Sequence, residues 1–305
     1  MATQPRFRKI LQACAPSGAA LVVVGLLGAA GTLGSLDRAW FDFLQRKTAR
    51  FAPVPADTAL VLIDETALQR MGAEDYGYRW PWPRRAFAGL FASLHRAGAR
   101  AIVGDFNFFE NSEDEMQDLV LGSVAAGLPG LTLGAMPATG SKPEQRPAIW
   151  PADFREGNAA CFQQARWGYT RSVVDEDSVV RRYIARDSLV AVATATATAP
   201  DAALLAAPQK LRWRGTLGEL RNRGVPVLSA ALFVPDGIEV VTRAETVSGD
   251  LEPAELRQSI EAAPAPTESL IRDAFAKVRG RVVFVGVNAA GTYDYVATPC
   301  GAPEP

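Results

Sequence analysis

Residues 85–105 read Arg85-Ala-Phe-Ala-Gly-Leu-Phe-Ala-Ser-Leu-His-Arg-Ala-Gly-Ala-Arg-Ala-Ile-Val-Gly-Asp105. The first part repeats apolar residues at helical spacing, which predicts a helix from Arg85 to Ala97 stopped by Gly98. Ala101-Ile-Val-Gly104 is a continuous apolar run that ends in an acid, as expected of a strand covered on both faces. A helix feeding a buried strand through a short connection is the repeating unit of an α/β fold.

The same grammar extends both ways. Upstream, Ala59-Leu-Val-Leu-Ile63 is a second buried run ending in Asp64-Glu65, and Trp80-Pro-Trp-Pro-Arg84 is a rigid loop opening the helix. Downstream, Ser112-Glu-Asp-Glu115 fits a capping box for a helix to Ala126. Leu131-Thr-Leu-Gly134 follows as a third strand. Short alternating connections imply parallel, right-handed crossovers. Two β-rich runs, Trp167–Val174 and Val179–Ala185, flank the acidic turn Asp175-Glu-Asp177 and predict a hairpin. Residues 187–210 and 248–266 are poorly patterned and read as variable insertions. Thr267–Lys277 is an amphipathic helix before a last strand, Arg281–Gly286. The expectation is one α/β domain, a mainly parallel sheet flanked by helices with an inserted β-hairpin.

The amino end differs. Arg6, Arg8 and Lys9 are the only charges before Asp37. The uncharged run is long enough to cross a bilayer, and its basic flank should stay cytoplasmic. Three segments are therefore predicted: a cytoplasmic end at 1–16, a transmembrane signal anchor at 17–36, and an extracytoplasmic domain at 37–305. Small residues around Ala29, Ala30 and Gly31 also fit a cleaved signal peptide. Asp37–Phe51 reads as an amphipathic helix leaving the membrane. Export places Cys161 and Cys300 in an oxidising compartment, as either a disulfide or two buried thiols.

Composition narrows the chemistry. The chain has 305 residues, 48% hydrophobic and 21% charged, with 32 basic and 33 acidic residues, one histidine and three cysteines. No basic excess points to nucleic acid. One histidine and scattered cysteines argue against His-cluster and CxxC-type metal centres. No GxxxxGK[ST], GxSxG or HExxH occurs, and Gly286–Gly291 is not a GxGxxG loop. The acids Glu110, Glu113, Asp114, Glu115 and Asp118 lack the spacing of a calcium loop and suit a helix first turn instead.

The motif order resembles the CHASE type-two sensor domain, an extracytoplasmic input module of bacterial adenylate and diguanylate cyclases and sensor kinases. The residues that carry the resemblance begin with Asp37…Phe41-Asp42 and Val61-Leu-Ile-Asp64, followed by Trp80–Arg84 and Ala97–Asp105. Trp167-Gly…Asp175-Glu-Asp-Ser-Val-Val-Arg-Arg182 and Pro226–Ser229 come next, and Gly280–Gly291…Asp294…Thr298-Pro299 completes the set. The family usually has glycine where Ser178 stands. The resemblance implies an inner-membrane protein whose sensor domain lies in the periplasm and acts as a homodimer, without cofactor or catalysis of its own. It also implies that the family continues past the point where Pro305 ends this sequence, into further membrane helices and a cytoplasmic output domain. The contrasting reading is an exported solute-binding protein or hydrolase.

The candidate ligand-binding residues are Asp64 and Asp105 at strand ends, Asp294 after the last strand, and Trp80, Trp82 and Arg84 in the aromatic loop. In open parallel sheets the carboxyl ends of strands form the ligand crevice, and acids gathered there suit a cation or an amine. The ligand itself, a small molecule or an envelope signal, is not specified by the sequence. Asp175, Asp177, Arg181, Arg182 and Pro299 are read as structural motif residues, with one of the two arginines pointing inward. His95 has no placed partner and reads as a helix-edge residue.

Overall fold

The computed structural model describes residues 24, 25, 28, 32–73, 76–108, 112–135, 165–170, 172–184, 188–194, 208–248, 252–289, 296–298 and 301–304. Helix α1 (Thr32–Thr48) leads into β1 (Thr58–Ile63), α2 (Glu65–Gly72), α3 (Arg84–Arg96) and β2 (Ala101–Gly104). Next come α4 (Glu115–Gly127), β3 (Leu131–Ala135), β4 (Arg166–Tyr169), β5 (Ser172–Val174), β6 (Val180–Ile184), α5 (Leu189–Thr194) and β7 (Pro208–Lys210). The chain continues through α6 (Leu217–Asn222), β8 (Val227–Ser229), α7 (Val234–Ser248), α8 (Pro253–Ala262), α9 (Ser269–Val278) and β9 (Val282–Val287). A short antiparallel ribbon, β10 (Val296–Thr298) with β11 (Gly301–Glu304), follows.

Six strands form one parallel sheet in the order β4-β3-β2-β9-β1-β8. The last of these in sequence, β9, occupies the middle, with Leu60 opposite Phe284 on one side and Ile102 opposite Val283 on the other. Every residue of β2 and β3 is buried, which explains why both read as unbroken apolar runs. The main core holds Ile63, Met71, Leu90, Phe91, Ile102, Leu121, Leu133 and Phe233, all essentially without solvent contact.

Several expectations need correction. The helix after Ser112 begins at Glu115, with Asp114 as its cap: the Asp114 carboxylate accepts from the Met116 N–H at 3.0 Å. Ser112 instead donates its backbone N–H to Asp118 at 2.7 Å. The run Trp167–Val174 is not one hairpin strand. Its first half is β4 at the edge of the large sheet, and only Ser172–Val174 pairs antiparallel with β6, which β7 then extends to three strands. Gly168 lets α5 pack closely on β4, because a Cβ there would lie 2.5 Å from the Leu189 Cα.

The two stretches read as insertions carry structure. Leu189 and Ala193 of α5 are buried against Ala101, Val103 and Val282. Leu256 and Ile260 of α8 are fully buried. Helix α7, not anticipated at all, crosses α3 at Gly89 and Gly237, where a Cβ on Gly237 would lie 1.8 Å from the Gly89 carbonyl oxygen. Pro235 and Gly237 are residue types that usually break helices; in the fold the first sits in the opening turn of α7 and the second permits backbone contact. The predicted span at 17–36 lies largely outside the described residues, although α1 already begins at Thr32. Among the described residues no helix is long and apolar enough to cross a membrane.

Candidate functional site

At the strand ends, Asp64 caps α2. Its Oδ1 accepts from the Ala67 N–H at 2.9 Å and from the Ser229 hydroxyl at 2.6 Å, joining the ends of β1 and β8. Asp105 follows β2 with its side chain exposed, and its backbone N–H donates to the Val285 carbonyl at 3.0 Å. Asp294 and Pro299 lie outside the described residues, as do all three cysteines. Among the described residues, no three His, Cys, Asp or Glu side chains come together to hold a metal ion.

The aromatic loop packs inward. Trp82 is buried, with Trp80 edge-on to it at 6.0 Å. Phe87 meets Trp82, Phe106 and Phe108 at 6.1, 4.9 and 5.2 Å. Arg84 lies 4.6 Å over the Phe108 ring and donates from Nε to Asp118 at 3.1 Å. Asp118 is itself buried, so this cation–π contact and ion pair form a structural knot beneath the loop.

The densest charge constellation lies elsewhere, where α1 meets the hairpin. Arg181 points inward from β6, with only 5% of its side chain exposed, as strand alternation requires of one member of the arginine pair. Nε and Nη2 bind Asp42 of α1 in a two-pronged contact, both at 2.7 Å. Nη1 reaches Asp175 at 3.0 Å and Asp177 at 2.7 Å, and Nη2 reaches Asp177 at 2.7 Å. All five N–H donors of the guanidinium are thus used on three carboxylates. Arg182 stands on the opposite, more exposed face and binds Asp175 through Nε at 3.2 Å and Nη2 at 2.5 Å. The turn between the strands is closed by Ser178 at φ 63°, a left-handed backbone that favours glycine.

These contacts set the titration of the cluster. Hydrogen bonding to Arg181, more than any other influence, lowers Asp177 from the usual 3.8 to about 2. Burial pushes Asp175 upward, but hydrogen bonds from Arg182 and Arg181 outweigh it and the net direction is down. Arg181 is raised beyond its usual range, first by Asp42 and then by Asp177. Sequence reasoning identified Asp175, Asp177 and both arginines but not Asp42 as their partner, since a contact across 139 positions leaves no periodic trace.

Two clefts remain. One of 240 Å³ lies in this junction, lined by Arg38, Phe41, Asp175, Arg181, Arg182 and Lys210 among others. The other, 390 Å³, lies between α2, α7 and the segment before α9, with Arg70, Tyr76, Glu239, Arg243 and Glu268 in its walls. Arg96, at the rim of the second, is held by Asp236 at 2.6 Å. His95 pairs with Glu261 at 3.1 Å on a neighbouring face, as expected of a helix-edge residue.

No curated protein and no solved structure matches the chain. The family model for the CHASE2 domain matches residues 18–305, so nearly the whole sequence carries the pattern. CHASE2 domains are extracytoplasmic sensory modules of membrane proteins. The α/β sheet with its inserted antiparallel unit, and the acidic turn clasping paired arginines, are the form that this pattern takes here: the chain belongs to the CHASE2 family.

Proposed function

We propose that the chain is the sensory input module of a membrane-bound bacterial signalling protein, and that α1 is the element through which it passes its signal. The observation that carries this reading is the Arg181 joint. Asp42 lies on the helix that follows the predicted anchor, while Asp175 and Asp177 belong to the domain body, and one buried guanidinium holds all three. A stimulus that shifts the hairpin therefore acts on α1 chiefly through this buried ionic joint. The stimulus is bound by the domain and displaces a two-state equilibrium by its differential affinity for the two arrangements. The chain contributes no catalytic group of its own to this role.

The 390 Å³ cleft is of the size that holds small ligands, and the strand-end acids Asp64 and Asp105 provide the competing position. Thermal unfolding of the chain against a panel of cations and small metabolites separates them. A ligand bound only by the folded state raises the midpoint by mass action. A shift lost in Asp105→Asn favours the strand ends, and one lost in Arg70→Ala favours the cleft. The coupling role is tested on whichever ligand emerges: its binding should change amide hydrogen exchange along α1. Unchanged α1 protection at saturating ligand would refute the role of that helix.

A further inference from the structure

The charges around the junction cleft are not all neutralised. Lys210 has no carboxylate partner among the described residues; its ammonium rests 5.1 Å over the Phe41 ring. Arg182 uses Nε and Nη2 on Asp175, which leaves Nη1 for a further acceptor. Arg38 contacts Glu176 at 3.4 Å, and that carboxylate is 87% exposed, so the pair is loose. Three cations from three elements, α1, β6 and β7, therefore face one space. Asp37 and Asp175 are the acids that line it, and Asp175 is already held by both arginines.

The position of the cleft narrows its occupant. Gly34, Arg38 and Phe41 fall on one face of α1 at helical spacing and line the cleft. Leu36, Trp40 and Phe43 fall on the opposite face, where they are 60%, 60% and 45% exposed, with Trp40 stacked on Phe43 at 5.5 Å. At about 1.5 Å per residue, Phe41 stands roughly 8 Å along the helix from the predicted end of the span at Leu36. That is the depth of the lipid headgroups, where exposed tryptophan is also enriched.

We infer that the junction cleft is an oxyanion site for a phosphate group, held by Lys210, Arg182 and Arg38 at the level of the membrane surface. A phosphate oxygen suits both the arginine fork and the ammonium. Its placement rests on the membrane reading given above, and the source of the phosphate is either an anionic lipid headgroup or a free phosphate.

The test is binding to the full chain in neutral detergent micelles, followed by thermal unfolding, with short-chain phosphatidylglycerol, short-chain phosphatidylcholine and inorganic phosphate. Phosphatidylglycerol should raise the midpoint in a saturable way and phosphatidylcholine should not. Lys210→Ala should weaken that binding about tenfold, the loss of one charge-assisted contact, and Lys210→Arg should restore it. Lys210 is exposed and outside the core, so neither variant should impair folding. A matching response to inorganic phosphate identifies the free anion as the source, and its absence identifies the lipid. Equal responses to both lipids with none to phosphate, or an unchanged affinity in Lys210→Ala, overturns the site. Separately, a full chain that stays in the aqueous phase when detergent is phase-separated overturns the membrane reading, while the phosphate arm still decides the cleft.

Discussion

Two helices are attached to this domain by different principal means. Helix α7 meets α3 backbone to backbone, with Gly89 and Gly237 so close that neither tolerates a methyl group, and the Arg85–Glu245 and Arg96–Asp236 pairs flank the crossing. Helix α1 meets the hairpin through charge, with Arg181 gripping Asp42. The glycine crossing depends on fit and is indifferent to salt, so the ion pairs beside it do not carry the attachment alone. An ionic joint is strong while complete, and loses strength when any partner is protonated or drawn away. The first arrangement suits a permanent part of the body, and the second suits an element that must be released.

The largest expected effect comes from removing the ionic hub. Arg181→Ala leaves Asp42 and Asp177 without their shared cation and Asp175 with Arg182 alone, which should cost about 3–5 kcal/mol in urea unfolding. Arg181→Lys should recover only part, since one ammonium cannot reproduce five directed contacts. A cost below about 1 kcal/mol for the alanine variant would mean that packing, not charge, holds α1. Next is Gly237→Ala, which forces α3 and α7 apart and should cost about 1–3 kcal/mol by overpacking. Gly218→Ala in α6, where the nearest atom lies 4.0 Å away, is the control; it should be neutral or slightly stabilising.

Acid should separate the two attachments. Asp177 is lowered from 3.8 to about 2, and Asp175 is lowered too. Their contribution is complete above the ordinary carboxylate value and is lost as pH falls toward the lowered one. Glu245, which joins Arg85 across the α3–α7 contact at 3.0 Å, is raised, because its burial outweighs the attraction of Arg85. Its contribution is therefore complete below its ordinary value of 4.5 and declines as pH rises through the raised one. Between about pH 4 and pH 2, hydrogen exchange in α1 should accelerate before that in α3 and α7. Simultaneous loss would show that the two contacts belong to one cooperative unit. The smallest effect is expected at the turn: Ser178→Gly relieves the left-handed backbone and should add about 1 kcal/mol, measured by the same urea titration. A loss of stability there would locate the role of the serine in its side chain.

What the sequence revealed follows from what periodicity can carry. Strands β2 and β3 were legible because a strand covered on both faces is apolar throughout, and β1 and β9 because they are apolar runs too, although some of their residues are only partly covered. The inward arginine was legible because strand side chains alternate. Helix α7 was hidden by Pro235 and Gly237, residues that usually end helices and here begin one and seat it. Helix α8 was obscured by the alanines, prolines and acids around Leu256 and Ile260, its two fully buried positions. The contact between Asp42 and Arg181 was out of reach, as was the strand order, because neither is a local property of the chain. For the strand-end acids the pattern gave position without partners, and the structure supplies a cap and a hydroxyl for Asp64.

The central place of β9 has a consequence for how this domain comes into being. A chain that emerges from the ribosome amino end first presents β1 and β2 long before residue 282 exists, and neither can pair with the other across the vacant middle. Until β9 is made, the native pairings provide only two separate parts, β4-β3-β2 and β1-β8, each with a bare inner edge. The final strand then acts as a keystone, joining Leu60 and Ile102 through Phe284 and Val283 in one late step. Closure of this kind is slow because it bridges distant parts of the chain. It also makes the native sheet depend on its last strand: a polypeptide released short of Val282 lacks the strand that joins the two parts.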